Sequence, residues 1–395
     1  MSRTSINPTL VLVGVGAATA AAHIGNNFTT YLVGGLIDGF GFTPIQMGAW
    51  SMTETLAYAA AMFIVAPRAH CLSARRLAII ATLLITFAQL LSASTADYSL
   101  LLLGRVATGL GFGLMNSAVN MAAGRQMHPA RAISAGIAFQ TVLFAMVNIG
   151  LPLIGERNGV AGMFVALAGL SALLGLGAVF LLDDATSESN TSTATSKQKS
   201  ATKPLGPDGW RILIAMALFA FGSLAIWPFM ERAANAIGIS ATEFGRYQSL
   251  ATLLSALGNL GLIAVIARLP RAGSLALALL SCGIACGLLT TVTSSLVFAG
   301  ALILYNVSWF ITYPLLLGLS YSTDKTGRLA VLTTGTWLLS QSFGSLGAGI
   351  IAQVLGGYWP IGPLGLLACL AAIATTWPLA RYFDRQPALA SGALT

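Results

Sequence analysis

The sequence predicts an all-α integral membrane protein in which twelve transmembrane helices form two pseudo-symmetric six-helix bundles. Composition, the length of the apolar runs and a repeat between the two halves support this fold class. Of the 395 residues, 56% are hydrophobic and 8% are charged, whereas a soluble domain carries about 25% charged residues. A chain of this composition is expected to lie in a lipid bilayer, so a soluble protein is excluded.

Apolar runs of about 20 residues, the length of a membrane-spanning helix, follow one another along the chain. The first six predicted spans are 9–36, 44–66, 75–94, 98–123, 131–154 and 160–182. The last six are 209–234, 241–268, 273–292, 294–320, 327–353 and 359–382. The sequence thus predicts an N-terminal bundle over 1–182 and a C-terminal bundle over 209–395. Residues 183–208 are rich in Ser, Thr and Lys, and are expected to form a flexible cytoplasmic linker.

The basic residues predict the orientation. With the N-terminus inside the cell, sixteen of the 20 Lys and Arg residues lie on the inner side, as the positive-inside rule requires. They are Arg3, Arg68, Arg75, Arg76, Arg125, Arg131, Lys197, Lys199, Lys203, Arg211, Arg268, Arg271, Lys325, Arg328, Arg381 and Arg385. We therefore expect a multi-pass protein of the inner cell membrane with both termini cytoplasmic. This bias also explains the net charge of +8, so no nucleic-acid partner is expected.

The two halves share a pattern at a fixed spacing. "GFTPIQMG" at 41–48 corresponds to "GISATEFG" at 238–245, an offset of 197 residues, and Arg131 and Arg328 have the same offset. Both pairs lie at matching places in the two sets of spans. The spacing predicts a duplicated six-helix unit.

Six plus six spans with a cytoplasmic central linker resemble the major facilitator superfamily. "GRVATGLGFG" at 104–113 resembles the Arg-x-x-x-Gly-x-Gly signature of that family's fourth helix. In the loop "APRAHCLSARRLA", Arg75 and Arg76 match the closing basic pair of the family's loop signature. Its Gly, Asp and second Gly are replaced near Ala66, His70 and Ser73. The resemblance implies a secondary transporter that works by alternating access, with span 1 beside the solute path.

A polar stripe runs along the apolar span 1, in the stretch "AAHIGNNFTTYLVGG". His23, Asn26, Asn27 and Thr30 fall within an arc of about 100° around the helix. Polar groups are costly against lipid, so this arc is expected to face protein or water. We expect it to bind the solute; a polar contact between helices is the alternative.

Two opposite charges lie inside the first half, Glu54 in span 2 and Arg105 in span 4. Their distances from the outer ends of their spans place them at similar depth, within roughly 5 Å. We therefore expect them to pair, and Glu54, His23 and Arg105 are the candidate proton-coupling residues; a purely structural pair is the alternative. Arg105 is also a candidate solute contact, with Asn116 on the same face of span 4 and Gln140 in span 5.

Polar and aromatic residues group on the predicted spans of the second half. Four of these residues are aromatic, and such side chains suit a small amphiphilic solute; core packing is the alternative. The candidate solute contacts are Trp227, Gln248, Tyr305, Asn306, Trp309, Trp337 and Gln341.

No catalytic constellation and no phosphate-binding glycine loop with Lys is present, so an enzyme is not expected. No cofactor or metal is expected either, because neither His nor a carboxylate joins Cys282 and Cys286. We expect a monomer that moves a small organic solute, by symport of an organic anion with protons. One alternative is proton-antiport efflux of hydrophobic compounds, since "IGLPLIGE" keeps the Pro-x-x-Gly of the family's antiporters. A non-transporting membrane sensor is the other.

Overall fold

The computed structural model describes residues 8–69, 71–124, 129–181, 205–265, 269–324 and 328–385. The chain divides into two compact units, Met1–Pro204 and Leu205–Thr395. Most of the predicted linker, as well as His70 and His128, lies outside the described residues. The described residues are almost entirely helical and contain no strand.

The first unit contains α1 (Pro8–Phe40), α2 (Pro44–Val65), α3 (Ala74–Ala93), α4 (Tyr98–Gly124) and α5 (Pro129–Leu176). The first four helices match predicted spans 1 to 4, and α5 contains span 5 and most of span 6; a 3-10 turn, Gly177–Phe180, follows it. Gly159 interrupts α5 with φ 64° and ψ −168°, a conformation open to glycine because it has no Cβ. The two segments of α5 lie against each other, since a Cβ on Gly155 would meet Met163 Sδ at 3.0 Å. The chain therefore reverses direction at Gly159.

The second unit contains α6 (Pro207–Ala225), α7 (Met230–Asn235), α8 (Ala241–Val265), α9 (Arg271–Thr291), α10 (Ser295–Thr323), α11 (Arg328–Val354) and α12 (Ile361–Arg385). A 3-10 turn, Trp227–Phe229, separates α6 from α7. Both of these helices and their turn fall in predicted span 7, and α8 to α12 match spans 8 to 12.

The repeat of 197 residues recurs in the backbone. The starts of α2 and α8, Pro44 and Ala241, are 197 residues apart, as are those of α3 and α9 and of α4 and α10. The four glycines with positive φ form two pairs at the same offset, Gly41 with Gly238 and Gly159 with Gly356.

The helix starts at Pro44 and Ala241 are capped in the same way. Thr43 Oγ1 accepts a hydrogen bond from the Gln46 backbone N–H, and Ser240 Oγ accepts one from that of Glu243. Ser or Thr followed three residues later by Gln or Glu is a capping signal. The duplicated unit thus keeps its turns and helix starts as well as its apolar pattern.

Nine helices in the described residues are long and apolar enough to cross a membrane. Large apolar side chains such as Leu83 and Phe87 are 67% and 69% exposed, which suits a surface in contact with lipid. α5 counts once although it holds two predicted spans, and the more polar α8 and α11 fall outside the nine. The all-helical membrane fold is confirmed, and the count of twelve spans stays a prediction.

Candidate functional site

A buried ion pair joins α2 to α4. Arg105 Nη1 lies 2.6 Å from Glu54 Oε2, and both side chains are 2% exposed. Thr108, one turn along α4 from Arg105, donates a hydrogen bond of 3.0 Å to the same carboxylate oxygen. The two charges that the sequence predicts at similar depth are therefore in direct contact. Whether they couple protons to transport stays a prediction.

Two further groups hold the guanidinium of Arg105. Its Nη2 donates a hydrogen bond of 2.5 Å to Thr29 Oγ1 on α1, and the Thr29 hydroxyl in turn donates a hydrogen bond to the Gly25 carbonyl. The carbon at the centre of the guanidinium lies 3.7 Å from the ring centroid of Trp50, a cation–π contact. Helices α1, α2 and α4 thus converge on one buried cation.

Glycines allow this close approach of the helices. A Cβ on Gly109 would overlap the backbone carbonyl of Glu54, and one on Gly113 would overlap that of Tyr58. On α1, a Cβ on Gly25 would overlap both the Glu54 carboxylate and the Phe112 ring. The motif on span 4 therefore serves close packing, and any side chain at Gly25 would displace the carboxylate.

His23 has neighbours on two helices. Its Nδ1 lies 2.8 Å from the Thr19 carbonyl oxygen, which only accepts hydrogen bonds, so Nδ1 is the donor of this bond. The side chain of Gln140 on α5 lies beside the ring. These two candidate residues are thus brought together between α1 and α5.

The rest of the stripe on α1 divides between partly exposed and buried residues. Asn26 and Asn27 are partly exposed, and Asn27 Nδ2 donates to the His23 carbonyl at 2.9 Å. Thr30 is only 1% exposed. Phe28 is fully buried, with its ring 4.9 Å from that of Phe144 on α5. The accessible part of the stripe is therefore shorter than the four residues in the sequence pattern.

Asn116 lies apart from the ion pair. Its Nδ2 is 3.5 Å from Met62 Sδ on α2, and its side chain is partly exposed. The face of α4 that carries Arg105 and Asn116 thus packs largely against α2.

In the second unit, two amides join α8 to α10. Gln248 Nε2 donates to Asn306 Oδ1 at 3.2 Å, and Asn306 Nδ2 donates back to Gln248 Oε1 at 3.4 Å. Both residues are buried. Tyr305, the residue before Asn306, donates to the Ser223 carbonyl at 2.8 Å, and its ring lies 6.4 Å from that of Trp227, nearly parallel to it.

An aromatic cluster lies between α10 and α11, formed by Trp309, Tyr313 and Trp337. The ring centroids are 5.1 to 6.1 Å apart. The two indole nitrogens are buried, and neither has a hydrogen-bond partner among the described residues. Each is therefore a donor that a bound acceptor would satisfy. Gln341, on the turn of α11 after Trp337, is 3% exposed.

Sequence reasoning missed three partners of the ion pair. Trp50 shares a face of span 2 with Glu54, but the pattern does not mark it as a partner of the cation. Thr29 lies outside the polar stripe on α1. Thr108, which donates to the Glu54 carboxylate, follows Arg105 by three residues, and this spacing is the signal that could have identified it.

The comparisons with known proteins agree with this architecture. The sequence model of a family described as the Major Facilitator Superfamily matches residues 15–345. The solved structure of the nucleoside transporter NupG is 14% identical with a TM-score of 0.73, and the match covers 95% of this chain and 99% of that protein. The structure of a D-xylose–proton symporter is 14% identical with a TM-score of 0.70, and the match covers 92% of this chain and 96% of that protein.

A bacterial homolog of the human lysosomal transporter Spinster is also similar. It is 15% identical with a TM-score of 0.68, and the match covers 97% of each chain. At these identities the three structures establish the fold alone. No curated protein matches the chain.

Proposed function

Because the chain belongs to the Major Facilitator Superfamily, a family of membrane transporters, we propose that it carries an organic anion together with a proton by alternating access. The observation that carries this proposal is the buried contact between Glu54 and Arg105. With Glu54 ionised, the two charges cancel inside the first unit.

Protonation of Glu54 changes that balance. It leaves the Arg105 cation in a buried place without a counter-charge, which is costly. A solute anion can supply that charge, so the proton and the anion favour each other's binding, as linkage requires. This reciprocity is the basis of the proposed symport, and it makes the co-transport of one proton with a monovalent anion electroneutral.

The second unit offers uncharged contacts to the solute. The indole N–H groups of Trp309 and Trp337 are buried donors without a partner among the described residues, and an indole cannot accept a hydrogen bond. They would therefore bind acceptor atoms such as carboxylate, carbonyl or hydroxyl oxygens. Their aromatic rings would pack against an apolar group bound beside those oxygens.

Proteoliposomes that enclose a pH-sensitive dye test the proposal. A panel of aliphatic and aromatic monocarboxylates is added outside, and the lumen is expected to acidify faster than in protein-free liposomes for at least one of them. A membrane potential set with potassium and valinomycin should leave that rate unchanged, because the step carries no net charge.

Three other results are possible, and each contradicts one part of the proposal. A rate that follows the membrane potential would exclude electroneutral symport. Binding of a carboxylate in a thermal-shift assay without flux would indicate a sensor. No response to any carboxylate, by flux or by thermal shift, would exclude the organic anion.

Proton-antiport efflux of hydrophobic compounds is supported by one separate observation. An open apolar groove of about 270 Å³ lies between the two segments of α5, lined by residues such as Met146, Leu151 and Leu170, next to Pro152. If a hydrophobic dye leaves the vesicles while protons enter and acidify the lumen, this function would be favoured over symport.

A further inference from the structure

A second group of buried polar side chains lies in the first unit, away from the ion pair. Thr86 and Gln89 on α3 and Ser171 on the second segment of α5 carry buried polar atoms without a hydrogen-bond partner among the described residues. Gln89 and Ser171 are each 1% exposed. Both the nitrogen and the oxygen of the Gln89 amide are unpaired. Lipid can satisfy none of these groups, and leaving them unmet is costly.

Two contacts fix the register between α3 and the second segment of α5. Arg75 Nε, at the start of α3, donates at 3.0 Å to the carbonyl of Leu181, just after the 3-10 turn Gly177–Phe180 that follows α5. Further along α3, Thr82 faces Gly175, whose Cβ would lie 2.6 Å from Thr82 Oγ1. Residue numbers thus rise along α3 as they fall along α5, so the two segments are antiparallel.

This register brings the unpaired groups together. One turn after Thr82 on α3 is Thr86, and one turn before Gly175 on α5 is Ser171, so these two hydroxyls lie at the same level. Gln89 follows Thr86 by three residues, on the same side of α3. The three side chains therefore share one small region between α3 and the second segment of α5.

The region lies at the depth of the ion pair. A Cβ on Gly104 would lie 3.5 Å from the Ala88 carbonyl oxygen and 2.6 Å from Ser92 Oγ. Gln89 stands between Ala88 and Ser92 in the chain, so it is level with Gly104 and with the next residue, Arg105.

We propose that Thr86, Gln89 and Ser171 hold an ordered water molecule inside the first unit. An amide and two hydroxyls supply both donors and acceptors, and a buried water makes about three hydrogen bonds. The three side chains carry no charge that would select an ion, and an apolar ligand would leave all of them unmet. This site does not depend on which solute the protein carries.

A structure of the full chain in lipid nanodiscs, at a resolution that shows ordered water, tests the proposal directly. We expect density within about 3 Å of the Gln89 amide and of Ser171 Oγ, the distance of a hydrogen bond. Infrared spectra recorded in heavy water should show an O–D band of a buried water, and that band should shift when the water carries oxygen-18.

Variants separate this site from other internal water. Gln89→Met keeps the length of the side chain and removes its polar atoms, so the density and the band should be lost. Ser171→Ala should weaken both. Ser92→Ala is the matched control, because Ser92 donates to the Ala88 carbonyl of its own helix at 2.9 Å, and it should change neither.

The wild-type measurement keeps the proposal open to disproof even where a variant fails to fold. A wild-type structure without density at this place, or one in which Gln89 bonds directly to Thr86 or Ser171, would overturn it. An O–D band that persists in Gln89→Met would also do so.

Discussion

Each unit joins an equivalent pair of helices, but the side chains that join them differ in chemistry. In the first unit, α2 and α4 meet through the ion pair of Glu54 and Arg105. In the second, the helices 197 residues later, α8 and α10, meet through the uncharged amides of Gln248 and Asn306. The residues 197 positions after Glu54 and Arg105 are Ala251 and Leu302, so each amide lies about one turn from the corresponding place.

This difference teaches that the repeat preserves backbone geometry more strictly than side-chain chemistry. Helix starts and glycines with positive φ recur at the same offset, while the bridge between the helices is ionisable in one copy and neutral in the other. A carboxylate can exchange a proton near neutral pH when its surroundings allow it, whereas an amide cannot. This contrast is why we propose that proton coupling belongs to the first unit.

The largest expected effect comes from removing the ionisable group. Glu54→Gln should abolish accumulation of solute driven by a pH gradient. The amide keeps the shape of the side chain but cannot take up or release a proton near neutral pH. Gln248→Leu, at the bridge of the second unit, should weaken binding of the solute but keep the dependence of accumulation on the pH gradient. Uptake into proteoliposomes at several imposed pH gradients measures both.

Glu156→Gln is the control for this comparison, since Glu156 is an exposed carboxylate of the first unit and should have no effect. If Glu54→Gln still accumulates solute with the wild-type pH profile, the coupling residue lies elsewhere.

Breaking each bridge from one side should give the next largest effect. Arg105→Met leaves the Glu54 carboxylate buried without its counter-charge, which costs about 3–5 kcal/mol of unfolding free energy. Asn306→Leu leaves an unpaired amide and should cost about 1–3 kcal/mol. Denaturant titration of the detergent-solubilised protein at alkaline pH, where a carboxyl in water keeps its charge, measures both.

The double variants give the check. Glu54→Gln with Arg105→Met, and Gln248→Leu with Asn306→Leu, should each recover much of the stability that the single change loses. Equal losses for the two single variants would mean that the bridges do not differ as their charges suggest.

A smaller effect is expected at the glycine beside the carboxylate. Gly25→Ala forces a methyl group against the Glu54 carboxylate and Phe112, and such overpacking costs about 1–3 kcal/mol. It should also shift the pH profile of transport, because it displaces the proton-binding group. Gly16→Ala on the same helix is the control, since its Cβ would lie 3.5 Å from Phe139, an ordinary contact. Identical pH profiles for the two variants would mean that Gly25 does not influence proton coupling.

The smallest effect concerns accessibility on α1. Asn27→Cys should react with a small hydrophilic thiol reagent and be protected by the solute, because Asn27 is partly exposed. Phe28→Cys should react slowly and without protection, since Phe28 is fully buried. Labelling rates in a background without the native cysteines measure this, and equal rates would mean that the stripe is a contact between helices.

Much of the architecture is predictable from the sequence because lipid imposes it. Apolar runs of a set length can only be helices, and the duplicated "GFTPIQMG" and "GISATEFG" segments mark equivalent helix starts. The contact of Glu54 with Arg105 is predictable as well, since two opposite charges at one depth in hydrocarbon are strongly favoured to meet.

The remainder depends on which faces meet, and periodicity along one helix does not determine this. Thr29 reaches Arg105 although it lies off the polar stripe, and Thr30 on the stripe is buried. The reversal at Gly159 joins two predicted spans into a single helical element, because a glycine allows a turn without a loop. In the second unit, Gln248 and Asn306 were each predictable as candidate residues, but their contact with each other was not.

The tight reversal in α5 has a practical consequence for imaging. A membrane protein of 40.8 kDa offers few features outside a detergent micelle by which single particles can be aligned in electron cryo-microscopy. Glu156, Arg157, Asn158 and Gly159 are exposed between two packed helical segments, and a Cβ at Gly159 would meet nothing within 4 Å. A small rigid domain fused here through continuous helices would be held by both segments, and so would serve as an alignment marker.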